Sequence, residues 1–238
     1  MANYQAVFER HEKKYLLTKK QYKALRALLD QHMNEDRFGL HTISSVYYDT
    51  DTYEIIRESL AKPKYKEKLR LRSYGTPAPA DEVYLELKKK VNGIVYKRRM
   101  GLTLREAERY MRAGIRPGHG GQILEEIDWV CAKHQLHPAA VISVERLALY
   151  GVEDPDFRVT FDFNMRGRDY DLSLAQGAGG TLLTSPDVCL MEVKTTSALP
   201  LWLTRFLSEH KIFPVSFSKY GTFYKEHILQ KGALRHAG

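Results

Sequence analysis

The chain has 238 residues but only two cysteines, Cys131 and Cys189. They stand in unlike surroundings and lack metal-ligand spacing. This excludes a disulfide framework and a thiolate-held metal, and reads as two buried free thiols in a reducing compartment. No apolar run approaches the about 18 residues that a membrane-crossing helix needs. The N-terminal stretch MANYQAVFERHEKKY carries acids and no apolar core, so it is not a secretion signal. Low-complexity tracts, repeats and long linkers are also missing. These absences lead us to expect one soluble, cytoplasmic domain over residues 1–238. Acid is the scarcer charge: 29 Asp and Glu against 37 Lys and Arg leave a net charge of +8. Such an excess calls for a polyanionic partner, whether nucleic acid, nucleotide, phosphate chain or acidic membrane.

Other chemistry is excluded by pattern. The histidines form no H-E-x-x-H or H-x-x-E-H motif and read as surface or loop residues, His236 among them. RPGHGG (116–121) follows a helix and lacks the G-K-S/T of a nucleotide loop. Trp129 and Trp202 sit on apolar helix stripes and are expected in the core.

What is present is mostly strand. Residues 4–17 look extended, and Thr18 caps a helix running to about Met33 with Tyr22, Leu25, Leu28 and Leu29 on one stripe. Strands are expected over 41–50, 66–74 and 82–91, then beyond an Asn92–Gly93 turn. Residues 51–61 form a short helix or turn. Two helices follow, at about 103–113 and 121–135. VISVERLALYG and FRVTFDFNMRGRD flank the turn VEDPD as strands, 188–195 is another, and helices at 199–210 and 218–229 close the chain. Many strands joined by turns argue for an antiparallel, mainly β domain with helical additions.

The strands share a peculiarity. In KLRLRSYG (68–75), Lys68, Arg70 and Arg72 have one parity and Leu69 and Leu71 the other. Alternate side chains of a strand point to opposite faces, so three cations line one face. Tyr84, Glu86, Lys88 and Lys90 oppose Val83, Leu85 and Leu87. Lys97 and Arg99 share a face; Arg158, Thr160, Asp162 and Asn164 oppose Val159, Phe161 and Phe163; Glu192 and Lys194 oppose Met191 and Val193. On one strand this is the wet side of a sheet. Recurring over five segments, and turned inward in a closed barrel, it makes a basic tube that needs an anion to fill it.

FERHEKKYLL, VYYDT, KLRLRSYG, VYLELKKK, VERLALYG with FRVTFDFN, LMEVKTT and FSKYGTFY occur in the order and spacing of the VTC domain, which the chain resembles from about residue 7 to 226. That domain belongs to the triphosphate tunnel metalloenzymes. The resemblance implies an antiparallel β-barrel tunnel with peripheral helices and inward-pointing bases. It also implies polyphosphate synthesis from ATP with Mn²⁺ or Mg²⁺.

Carried over position by position, the resemblance makes Lys14 the first-strand lysine of the tunnel. Arg70 and Arg72 become the paired phosphate-gripping arginines, whose guanidinium forks suit phosphate oxygens. Lys88 is the lysine of the E-x-K strand, with Glu86 beside it, and Lys97 or Arg98 is a further basic position. Arg146 and Arg158 are the arginines around VEDPD. Glu192 is the metal-binding glutamate, Lys194 follows it on the same face, and Ser218 and Lys219 are the S-K pair of the tunnel mouth. Arg57 stands loosely where another base is expected. Three positions depart from the pattern. Arg10 replaces the first acid of E-x-E-x-K, with Glu9 next to it. Val144 stands where tyrosine is usual, and Val215, Ser216 and Phe217 offer no lysine before the S-K pair.

The implied activity is a metal-dependent phosphotransferase: Arg70, Arg72, Lys88, Arg146, Arg158 and Lys219 hold the phosphate oxygens of ATP, and a chain-end phosphate oxygen attacks without a strong base. The alternatives are a triphosphatase acting on tripolyphosphate or nucleoside triphosphates, with Glu12 or Glu86 orienting water, and a non-enzymatic binder of polyphosphate or RNA. Duplex nucleic acid is too wide to enter such a tube.

Overall fold

The computed structural model describes residues 11–92 and 94–231; the expectations placed on Glu9, Arg10, Gly93 and His236 fall outside the described residues. The strands are β1 (His11–Thr18), β2 (Met33–Glu35), β3 (His41–Asp49), β4 (Tyr65–Tyr74), β5 (Glu82–Val91), β6 (Ile94–Thr103), β7 (His137–Gly151), β8 (Arg158–Arg168), β9 (Thr181–Leu182) and β10 (Val188–Thr195). The helices are α1 (Lys19–Leu29), α2 (Glu54–Leu60), α3 (Leu104–Ala113), α4 (Gly121–His134), α5 (Leu201–Glu209) and α6 (Lys219–Phe223), the last running into a π-helical turn at Tyr224–Ile228.

The expected antiparallel sheet is there, in the order β1-β10-β8-β7-β3-β4-β5-β6, with β2 on β7 and β9 on β8. The expected closure is not: among the described residues the hydrogen-bonded path ends at β1 and at β6. Parity fixes which side of a strand is wet, but whether the ladder closes depends on pairings remote in sequence.

The chain forms two compact units. One comprises Met1–His41, Glu145–Asn164 and Thr184–Phe217; the other comprises Thr42–Val144, Met165–Leu183 and Ser218–Gly238. In the first, α1 and α5 pack Leu25, Leu29, Leu203 and Phe206 against Tyr15, Leu17, Phe161, Met191 and Val193. In the second, α3 and α4 pack Ala107, Tyr110, Leu124, Ile127 and Val130 against Leu69, Leu71, Leu85, Leu87 and Leu102. Each fully buried leucine contributes about 1.5–3 kcal/mol, so each unit commits the apolar parity of its strands to helices. The opposite parity is left for polar side chains.

Local signals set the element ends. Thr18 and Gln21 form a capping box at the start of α1, as do Thr103 and Glu106 at α3. α1 stops at Leu29 rather than near Met33, because Met33 leaves the helix to pair with Gly151. Val91 pairs with Ile94, and Asn92 takes φ 48°, the left-handed conformation of a two-residue hairpin turn. Trp202 packs on the first core and stacks on His32 with ring centroids 4.6 Å apart. Trp129, expected in the core, is 56% exposed, because α4 buries Leu124, Ile127 and Val130 instead. Cys189 is buried as expected, whereas Cys131 is only half-buried.

A buried acid anchors the end of β3. Asp49 accepts hydrogen bonds from the backbone N–H groups of Thr50 (2.9 Å), Ile55 (2.9 Å) and Ile56 (3.0 Å), and from the Tyr220 hydroxyl (2.9 Å). It caps α2 from outside the helix, whose own N-cap residue, Tyr53, makes no side-chain cap bond. Replacing Asp49 with alanine strands these donors and is expected to cost about 3 kcal/mol of stability. Urea unfolding measures this, and an unchanged midpoint would show that the cap is idle.

Candidate functional site

In the second unit the polar parity of β3 to β6 forms a grid. Across it, Tyr47 pairs with Arg70, Arg70 with Glu86, and Glu86 with Arg99; the next row runs Lys68, Lys88, Lys97. Glu86 lies at the centre and is 1% exposed. Its Oε2 accepts from Arg70 Nε at 2.7 Å, with Arg72 Nε at 3.8 Å. Its Oε1 meets Lys97 Nζ at 2.6 Å and accepts from Arg99 Nε at 2.7 Å. Burial alone would raise the Glu86 carboxyl, yet Arg70, Arg72 and Lys97 hold it far below the usual carboxylate range. One acid therefore serves four cations, and the cluster keeps a net positive charge.

Two neighbours are tuned by this field. Burial lowers the Lys97 ammonium to about 8, against the pull of Glu86. Burial would push the Tyr47 phenol up, but Arg70, Arg72 and Lys68 bring it down to about 8, and Arg70 Nη1 donates to its hydroxyl at 3.2 Å. Lys97 and Arg98 turn to opposite faces of β6. Lys97 is on the Glu86 face, while Arg98 Nε turns to Glu126 of α4 at 3.1 Å, where Lys89 also binds at 3.2 Å. The KKK run is thus split, with Lys88 and Lys90 on the polar parity and Lys89 on the helix side. Lys68 Nζ reaches Ser218 Oγ at 3.5 Å, and Ser218 caps α6 by accepting from the Gly221 N–H, with Lys219 opening that helix. Arg57 is on α2, exposed, bonded to the Thr52 carbonyl.

The first unit carries a different grid. Lys14 of β1 lies opposite Glu192 of β10, which lies opposite Thr160 of β8; the next row is Glu12, Lys194, Arg158. Between β1 and β10 unlike charges face each other, as cross-strand pairing favours, whereas Lys194 and Arg158 face each other as like charges. Lys14 Nζ lies 3.3 Å from Glu12 and 3.6 Å from Glu192, and donates to the Phe217 carbonyl at 3.1 Å. Arg146 forks onto Asp162 with bonds of 2.5 and 2.6 Å and reaches Glu192 Oε2 at 3.5 Å. Thr160 Oγ1 is buried and has no hydrogen-bond partner among the described residues. Among those residues no three His, Cys, Asp or Glu side chains gather as a metal cluster.

Most of the expected positions therefore fall on these two faces: Lys14, Arg146, Arg158, Glu192 and Lys194 in the first unit, Arg70, Arg72, Lys88 and Lys97 in the second. The sequence reading missed the convergence of four cations on Glu86, the bidentate Arg146–Asp162 pair, and the place of Tyr47 beside Arg70. Shared parity was the available signal; which residues stand opposite one another follows from register alone.

The VTC domain profile matches residues 9–227. The chain belongs to the VTC-domain family. No curated protein sequence matches it. The fold is shared with solved structures at low identity. A putative adenylate cyclase from Bacillus halodurans is 16% identical with a TM-score of 0.57, over 90% of this chain and 96% of that one. A putative adenylyl cyclase from Hippeastrum, described as revealing a dominant triphosphatase activity, is 16% identical with a TM-score of 0.51, over 90% and 94%. No described helix is long and apolar enough to cross a membrane.

A polyanion docking on the Glu86 cluster neutralises the field that lowers Tyr47 and adds negative charge beside Lys97, so both pKa values rise from about 8. Binding of long-chain polyphosphate at pH 8 is therefore expected to take up protons. Calorimetry in two buffers of different ionisation enthalpy measures the uptake, and Lys97→Met and Tyr47→Phe should each diminish it. Buffer-independent heats would show that neither group faces the ligand.

Proposed function

We propose that the protein is a polyphosphate polymerase, transferring the γ-phosphate of ATP to a growing inorganic polyphosphate chain. The observation that carries this reading is the gathering of Arg70, Arg72, Lys97 and Arg99 on the single carboxylate of Glu86. Membership of the VTC-domain family supports it. Guanidinium groups already held in place by Glu86 offer their remaining N–H donors to phosphate oxygens with little reorganisation. Lys88 and Lys68 extend the grip, and Ser218 and Lys219 add to it. The other unit carries basic side chains of its own in Arg146, steadied by Asp162, and in Arg158 and Lys194.

The residues fit a hard divalent cation. Glu12 and Glu192 both reach the point where Lys14 Nζ sits, and an ammonium there marks a place for positive charge. Both are oxygen donors, as Mg²⁺ and Mn²⁺ prefer, and such ions take one or two carboxylates and fill the shell from substrate phosphates and water. Glu192, with Glu12 beside it, would hold the Mn²⁺ or Mg²⁺; when bound, the ion supplies neutralisation of charge on the phosphates.

The attacking group is a terminal phosphate oxygen, anionic near neutral pH, so alignment suffices and no strong general base is needed. Hydrolysis needs an acid free to orient water. Glu86 is fully engaged by cations and Glu12 meets Lys14, which favours transfer over hydrolysis.

The decisive test incubates the purified chain with ATP and Mn²⁺ and stains a gel for polyphosphate. Polymer is the expected product; phosphate released without polymer would establish the triphosphatase instead. Arg70→Ala or Arg72→Ala should weaken triphosphate binding by about tenfold to a hundredfold, from loss of a charge-assisted contact. Unchanged affinity in both would sink the proposed grip. Glu192→Gln should collapse turnover while metal-free polyphosphate binding persists or tightens, and near-normal turnover would make Glu192 structural.

A further inference from the structure

Four tyrosines punctuate the basic strands. Register sends Tyr65 and Tyr96 to the parity of Glu67 and Arg98, and sends Tyr74 and Tyr84 to the parity of Arg70, Arg72 and Arg99. The polar face of the second unit is therefore graded along its strands. Tyr74 and Tyr84 lie towards one end, the Arg70–Glu86–Arg99 row in the middle, and the Lys68–Lys88–Lys97 row beyond it.

Neither Tyr74 nor Tyr84 belongs to the core. Tyr74 is 48% exposed, and its ring meets that of Tyr84 edge-on with centroids 5.8 Å apart. The Arg99 guanidinium lies 4.6 Å above the Tyr84 ring and donates from Nη2 to the Tyr74 hydroxyl at 3.2 Å, while its Nε stays on Glu86. The Tyr84 hydroxyl is tied to Glu82. Opposite Tyr84 stand Arg72 on β4 and Gly101 on β6, and the Glu82 side chain folds over Gly101. The half-exposed Tyr74 ring and the Arg99 guanidinium beside it suit a flat π-system, and bases stack on both kinds of surface.

We propose that Tyr74, Tyr84 and the guanidinium of Arg99 form the platform on which the base of a nucleoside triphosphate stacks, with its phosphates running over Arg70 and Arg72 towards Lys68 and Lys88. This rests on the phosphate-transfer reading above and adds a base subsite and a direction. Successive residues of one parity are about 6.6 Å apart along a strand, so one repeat separates Tyr74 from the row of Arg72 and Tyr84, which leaves room for the sugar, and a second leads on to Arg70. A row of lysines directly opposite one another suits a run of phosphates rather than a neutral group.

The test titrates the full chain, without metal, with ATP and separately with tripolyphosphate, which has no base. Tyr84→Ala and Tyr74→Ala are each expected to raise the Kd for ATP by about tenfold, as loss of one stacking surface does, and to leave tripolyphosphate within about twofold. Tyr84→Phe, which keeps the ring, should retain ATP affinity. Intact tripolyphosphate binding also reports that each variant is folded. Unchanged ATP affinity in both alanine variants, or equal weakening of both ligands in folded protein, overturns the platform while the phosphate grip stands. If the unmutated chain binds neither ligand, the phosphate reading falls and the platform with it.

Discussion

Everything on the basic face of the second unit is organised by one buried carboxylate. Four cations gathered without an acid would repel one another at separations where the attraction or repulsion of unit charges is several kcal/mol near a protein surface. Glu86 allows Arg70, Arg72, Lys97 and Arg99 to converge. Removing one partner of a buried ion pair costs about 3–5 kcal/mol, and here one partner is shared by all four cations. Glu86 holds the cluster together and still leaves it with a net positive charge.

The two units divide the electrostatic labour. In the first, acids of one strand face bases of the next between β1 and β10, so Lys14, Glu192, Glu12 and Lys194 nearly neutralise one another. In the second, bases outnumber acids and the face suits anions. Thr160, whose buried hydroxyl has no hydrogen-bond partner among the described residues, lies in the row of Glu192.

The strand faces were legible because period-two alternation is a local property: KLRLR states its own wet side, and β4 buries Leu69 and Leu71 as that alternation requires. The helix cap at Thr18 was legible for the same reason. Other features were not, because they depend on partners remote in the chain. The convergence on Glu86 needs the β4–β5–β6 register, the forked Arg146–Asp162 pair needs β7 beside β8, and the open end of the sheet needs knowledge of every pairing. Trp129 was misread because an amphipathic helix offers two candidate stripes, and α4 buries the one formed by Leu124, Ile127 and Val130.

The open end of the sheet has a consequence for how this chain tolerates change. β6 presents an outer row of backbone donors and acceptors, and its exposed stretch runs Tyr96, Lys97, Arg98, Arg99. Unpaired strand edges recruit other chains unless charge keeps those chains away. The cations that bind Glu86 and Glu126 therefore also guard this edge. Neutralising them would undo the ion pairs and remove a guard against self-association in a single step, so internal order and resistance to aggregation are inherited together along this strand.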